Sequence, residues 1–219
     1  MLVYGFINGT IYALIALGFS ITFGVSRVAN FAHGGLYILG GALTWYSLVK
    51  LGLPYFLSAI LAVVAVGFLG ALIYRVLLIR LRGLELSEVI TTFAVGIVIL
   101  ELLRSMGLMG YEYRLPLFVE GSVDIFGVPV GIQRIIIVVV GAALLLALYL
   151  FVHHTKVGLA FRGVAQEEHT ALSVGINPDR VSLLSLSIGS MICVISAVFI
   201  LPLGTISVDD GYDVLIKAL

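Results

Sequence analysis

The sequence predicts an all-α polytopic membrane protein with about six transmembrane helices, and three observations lead there. Of the 219 residues 61% are hydrophobic and only 11% charged, where a soluble domain carries roughly 25% charged residues. The mean hydropathy of +1.21 requires an exterior that is itself apolar, as in lipid. Finally, the few charges are spaced so that apolar runs long enough to cross a bilayer lie between them.

Five runs carry no charge at all: 1–26, 28–49, 51–74, 135–155 and 181–208. Each exceeds the roughly 18 residues that mark a transmembrane helix, because a charge at mid-bilayer costs at least about 2.5 kcal/mol. A sixth run, Val89 to Leu100, is short, and a span drawn around it takes in Glu88, Glu101 or Arg104. It is nevertheless too apolar for water and supplies the remaining helix. The predicted spans are approximately 4–25, 34–50, 53–75, 87–105, 134–153 and 181–203, within a single transmembrane domain covering 1–219. Between the third and fourth, Arg75 to Glu88 is polar enough for a loop. The alternation of apolar and polar residues that marks a membrane barrel is absent.

No basic residue precedes Arg27, so no cleavable signal peptide is expected, and Arg27 places the segment after the first span in the cytoplasm. Alternating from there, the inside segments hold Arg27, Arg75, Arg80, Arg82, Lys156, Arg162 and Arg180. The outside segments hold Lys50, Arg104, Arg114 and Arg134, and Asp209, Asp210 and Asp213 gather on the outside after the last span. A re-entrant Gly-rich stretch would disturb this alternation.

Twelve basic and twelve acidic residues leave no net charge, which sets nucleic-acid binding aside. The single cysteine, Cys193, lies in an apolar run and is expected to behave as a small buried hydrophobe. There is no phosphate-binding loop, no H-E-x-x-H and no Cys/His metal set, so no cofactor or metal is expected. A transporter built from this chain would draw its energy from a partner or a gradient. The pairs Gly5 and Gly9, Gly67 and Ala71, and Ser185 and Gly189 stand four apart and favour close helix packing in lipid.

Four places could carry function. The first is the polar stretch 154–180 between the fifth and sixth spans, assigned to the cytoplasm. Within it Phe161, Ala165, Glu168 and Leu172 fall on one helical face, while Arg162, Gln166 and His169 lie away from it. Gly175 terminates that helix, and Asn177 and Pro178 cap the next one. An interfacial helix would show a Lys/Arg-rich polar face; small residues such as Gly163, Ala165 and Ala171 instead suit docking into a partner's groove.

The second place is Asn30 to Gly35. Locally, Asn30 caps the second helix and His33 is a satisfied histidine; alternatively this Gly-rich junction lines a translocation path through Asn30, His33, Gly34, Thr91 and Thr92. Glu101 and Arg104, three apart, pair at the membrane surface or line an outer vestibule. Thr10, Thr22, Thr44, Ser187, Ser190 and Ser196 bond across helices or line a route. The last place is the extracytoplasmic loop 106–133, with Tyr111 and Tyr113, in which Val123-Asp124-Ile125 followed by Phe126-Gly127 signals a small hairpin.

At these residues the chain resembles the permease subunits of branched-chain amino-acid ABC importers. The likeness rests on Gly9-Thr10-Ile11-Tyr12-Ala13-Leu14-Ile15-Ala16-Leu17-Gly18, on Phe23-Gly24-Val25, and on Asn30-Phe31-Ala32-His33-Gly34. It continues through Gly158, Arg162, Ala165, Ala171, Gly175, Ile176 and Asn177, which match the ATPase-coupling loop of such permeases. The resemblance implies that a coupling helix at Phe161 to Leu172 sits in a groove of an ATP-binding subunit, with Glu168 on the docking face. It further implies a second permease subunit, two ATP-binding cassette ATPase subunits and an extracytoplasmic substrate-binding protein. Their joint task would be uptake of leucine, isoleucine or valine across a bacterial or archaeal plasma membrane, with no enzymatic chemistry in this chain. Family members continue past Pro202-Leu203-Gly204 with a Gly-rich stretch and further helices, so C-terminal helices of the family are expected to be missing here. Rival substrates are urea or short amides. An ion-coupled secondary transporter usually places an ionisable residue near mid-membrane, and the five charge-free runs hold no Asp, Glu, Lys or Arg.

Overall fold

The computed structural model describes residues 2–107, 114–125, 127–204, 207 and 210–218; Tyr111, Tyr113, Phe126 and Asp209 lie outside them. The chain is mostly helical. Helix α1 spans Leu2–Ser26, α2 His33–Val49 and α3 Tyr55–Ile73, the last continuing through a π-helical turn at Tyr74–Leu78 to Leu81. Helix α4 covers Glu85–Ser105, strands β1 and β2 cover Ser122–Ile125 and Val128–Gly131, and α5 covers Ile132–His154. Helices α6 (Lys156–Gln166), α7 (Glu168–Ser173), α8 (Pro178–Ile200) and α9 (Asp210–Ala218) complete the fold. The expected hairpin forms as an antiparallel pair in which Val123 faces Val130.

Among the described residues five helices are long and apolar enough to cross a membrane: α1, α3 with its extension, α4, α5 and α8. The remaining apolar run, 28–49, yields the 17-residue α2 because its first residues are not helical. The polar stretch Arg75 to Glu88 is also not the expected loop. Helix persists to Leu81 and resumes at Glu85, leaving a three-residue link. Arg, Leu and Glu are good helix formers, so polarity there reports solvent contact and not a break.

Helix α8 is the most enclosed of the five long helices and α5 the least. Antiparallel α1 and α8 cross at Gly18 and Gly189: a Cβ on either would lie 2.6 Å from the other's carbonyl oxygen. Hydroxyls stitch α8 to its neighbours. Ser196 donates to the Leu14 carbonyl at 2.9 Å, and Ser187 donates to the Gly67 carbonyl of α3 at 2.9 Å. By contrast, Gly5 and Gly9 face open space and do not serve packing within this chain. One apolar cluster joins α1, α2, α3, α4 and α8; a second joins α1, α5, α6 and α8. Side chains such as Phe68, Ile90, Val98 and Val139 stay outward, as a lipid-facing surface requires. Cys193 is fully buried, its thiol 3.4 Å from the His33 carbonyl.

Candidate functional site at the polar end of the bundle

Helix α1 ends at Arg27, whose φ of 56° lies in the left-handed region rarely used by side chains other than glycine. That turn sends Val28 to Ala32 back into the bundle. Helix α2 therefore begins beside the middles of α1, α4 and α8: His33 reaches the Ile15 carbonyl, a Cβ on Gly35 would touch the Gly96 carbonyl at 3.0 Å, and Gly18 packs against His33. Non-helical backbone at membrane depth must find its partners within the protein. Here the Phe31 amide donates to Thr92 Oγ1 at 3.2 Å, and that hydroxyl donates to the Ala29 or Val89 carbonyl at 3.2 or 3.0 Å. Asn30 Oδ1 accepts from the Ala32 amide at 3.1 Å, while the Asn30 carbonyl accepts from the His33 amide.

Asn30 thus makes a local turn before the helix, and Ala32 occupies the cap position expected of it. His33 is 1% exposed and its Nε2 lies 3.0 Å from the Ile15 carbonyl, so that nitrogen carries the hydrogen. Its ring meets Phe19 edge to face. Asn30, His33, Gly34 and Thr92 are all buried, and Thr91 is half-buried. The polar groups of Asn30 and Thr92 serve the re-entrant segment itself, and the His33 ring ties it to α1. Below that segment, at the polar end, a cavity of about 550 Å³ opens between Phe23, Arg27, Glu85 and Glu88.

The same end carries α6 and α7. Thr155 caps α6 by accepting from the Gly158 amide at 2.9 Å, and a Cβ on Gly158 would strike the Phe151 and Val152 backbone. Only glycine permits so sharp a reversal out of α5. Gly158, Phe161 and Val164 turn inward, with Phe161 1% exposed and edge-on to Phe151. Glu167 is extended (φ −153°, ψ 108°) and separates α6 from α7. This break overturns the expected single face. Phe161 is an internal anchor, Ala165 is half-buried, and Glu168 and Leu172 are exposed. The most outward apolar residues are instead Leu159, Leu172 and Val174, beside exposed Arg162, Glu167 and His169. Ala171 is buried, Gly175 ends α7 at φ +86°, and Asn177 caps α8 by accepting from the Arg180 amide at 3.1 Å, with Pro178 in its first turn.

Arg82, which the sequence marked only as one of the inside charges, joins these elements. From the link after α3 its guanidinium reaches both Glu168 of α7 and Asp179 of α8. Tyr74, in the π turn, donates to the same Asp179 at 3.3 Å, and Arg27 donates to the Ala165 carbonyl at 3.3 Å. Partial burial disfavours the charged guanidinium of Arg82, but the Glu168 hydrogen bond and nearby negative groups outweigh it, and its pKa lies above the ordinary arginine value. Three links far apart in sequence are therefore bound at one end. At the opposite end Arg104 pairs with Glu101 at 2.8 Å, and Tyr4 donates to the Pro129 carbonyl of the hairpin at 2.7 Å.

A family profile described as the permease component of branched-chain amino acid transport systems matches residues 1–219, the whole chain. The chain belongs to that family. Membership makes it a multi-pass membrane transport subunit of the ABC permease class, not an enzyme. Among known relatives, the high-affinity branched-chain amino acid transport system permease protein BraD of Pseudomonas aeruginosa is 28% identical over 99% of this chain and 75% of its own length. LivH of Escherichia coli K12 is 28% identical over 88% of this chain and 67% of its own length. A probable LivH of Methanocaldococcus jannaschii is 28% identical over 82% of this chain and 58% of its own. No solved structure matches the chain significantly. These relatives are longer than the region this chain covers.

Proposed function

We propose that the chain is the permease subunit of an ATP-driven importer for leucine, isoleucine and valine, working with a second permease, two ATPase subunits and an extracytoplasmic binding protein. The observation that carries this is the family match over the full length, supported by a polar end at which α6 and α7 are tied to other spans. The names of the BraD and LivH relatives support the substrate class. In this reading α6 and α7 face the cytoplasm and present Leu159, Leu172 and Val174 to the ATPase. Phe161 ties α6 to the membrane core, and Arg82 ties α7 to α3 and α8, so a push on this face is felt by three spans.

The test is reconstitution of the complete importer in proteoliposomes with labelled leucine. ATP-dependent uptake that also requires the binding protein is the expected result. Leucine uptake that continues without ATP and follows a proton or sodium gradient would overturn the energy source; uptake of urea in place of leucine would overturn the substrate.

A further inference from the structure

A cavity of about 260 Å³ lies between α1, α2, the end of α8 and α9, away from the polar end described above. It is smaller than the roughly 300–1,000 Å³ of pockets for drug-sized molecules and suits a small solute. One wall is aliphatic, formed by Ile11, Ile15, Ile200 and Val214. The other is polar. Asp210, Asp213 and Lys217 line the cavity from one face of α9, while Gly211, Leu215 and Ala218 pack inward on the bundle. Gly211 seats α9 directly on Gly34 of α2.

Tyr37 lines the same cavity from α2. It is 2% exposed, and among the described residues its hydroxyl has no hydrogen-bond partner. That hydroxyl is not sealed in protein, since among the described residues Ser58 Oγ is the one fully buried side-chain atom without a partner, and it can meet a ligand in the space it borders. Asp210 accepts the Ser207 amide at 3.1 Å, but Asp213 and Lys217 form no ion pair among the described residues, not even with each other. The cavity thus offers a carboxylate, an ammonium and a hydroxyl beside an aliphatic wall.

We infer that this cavity receives a small zwitterionic aliphatic α-amino acid, an inference that rests on the importer reading above. Asp213 faces the ligand's ammonium, Lys217 and the Tyr37 hydroxyl face its carboxylate, and Ile11, Ile15 and Ile200 cover its side chain. Recognition of both charges distinguishes this site from one for urea or a simple amine.

The test is equilibrium binding of labelled leucine to the permease–ATPase complex in nanodiscs without binding protein, with uptake by the complete importer measured in parallel. Asp213→Asn and Lys217→Met are each expected to weaken binding at least tenfold, with Lys217→Arg recovering most of it. Tyr37→Phe, which removes a single oxygen and leaves the fold intact, is expected to weaken it severalfold. Wild-type complex should bind leucine more tightly than 4-methylpentanoate, its analogue without the amine, and Asp213→Asn should lose that preference. Variants that bind like wild type, or a wild-type complex that binds no leucine while still importing it, overturn the site and leave the importer reading standing. A complete importer that moves no amino acid overturns that reading itself.

Discussion

Thr92 holds together a stretch of non-helical backbone, Val28 to Ala32, that enters the bundle. Its hydroxyl receives the Phe31 amide and gives its hydrogen to a carbonyl of the same region, so one side chain satisfies groups that lipid could not. Thr92→Val keeps the shape and removes both bonds. A buried donor left unpaired costs about 1–3 kcal/mol, so the variant should melt at lower temperature in detergent while Thr92→Ser stays near wild type; equal melting of Val and Ser variants would contradict this role. Nothing in the sequence around Thr92 signals such a task, since Phe31 and Ala29 sit more than sixty positions away. Cys193 is the opposite case: a thiol in an apolar run is buried wherever the run goes, and so it is here.

Among the elements, α6 and α7 diverge most from a helical-wheel projection. Such a projection assumes one continuous helix, and the extended Glu167 divides it, so Phe161 and Leu172 point to opposite environments. Phe161→Ala should cost about 3–5 kcal/mol, as for other core aromatics, and hydrogen exchange should rise across residues 156–173; unchanged protection there would mean that α6 is held by something else. Arg82 and Glu168 call for a different experiment, since partly exposed pairs add little stability but can fix geometry. We expect Arg82→Glu or Glu168→Arg alone to lower leucine uptake per ATP hydrolysed, and the double swap to restore part of it. Additive losses in the double variant would show that the pair transmits nothing.

For the molecule as a whole, the pairing of distant links bears on orientation. Arg27, Arg82 and the α6–α7 segment meet at one end, and the hairpin meets the α1 N-terminus at the other, as an alternating topology requires. With Cys193 buried, a Leu172→Cys variant should react with a membrane-impermeant maleimide from the cytoplasmic side only. Labelling of intact cells from outside would invert the orientation.

Membrane class, the apolar runs and the family could be read from residue order because the cost of burying charge is a local property, additive along the chain, and because the Gly9–Gly34 and Gly158–Asn177 motifs are contiguous. The Gly175 stop and the Asn177-Pro178 start were legible for the same reason: a helix end is decided by its nearest neighbours. Tertiary structure decided the rest. It set α2 to begin at half depth, turned Phe161 inward, gave Arg82 its two carboxylates and brought α9 against Tyr37. Each of these depends on contacts between residues far apart in sequence, where close packing selects one arrangement among many that the same apolar pattern allows.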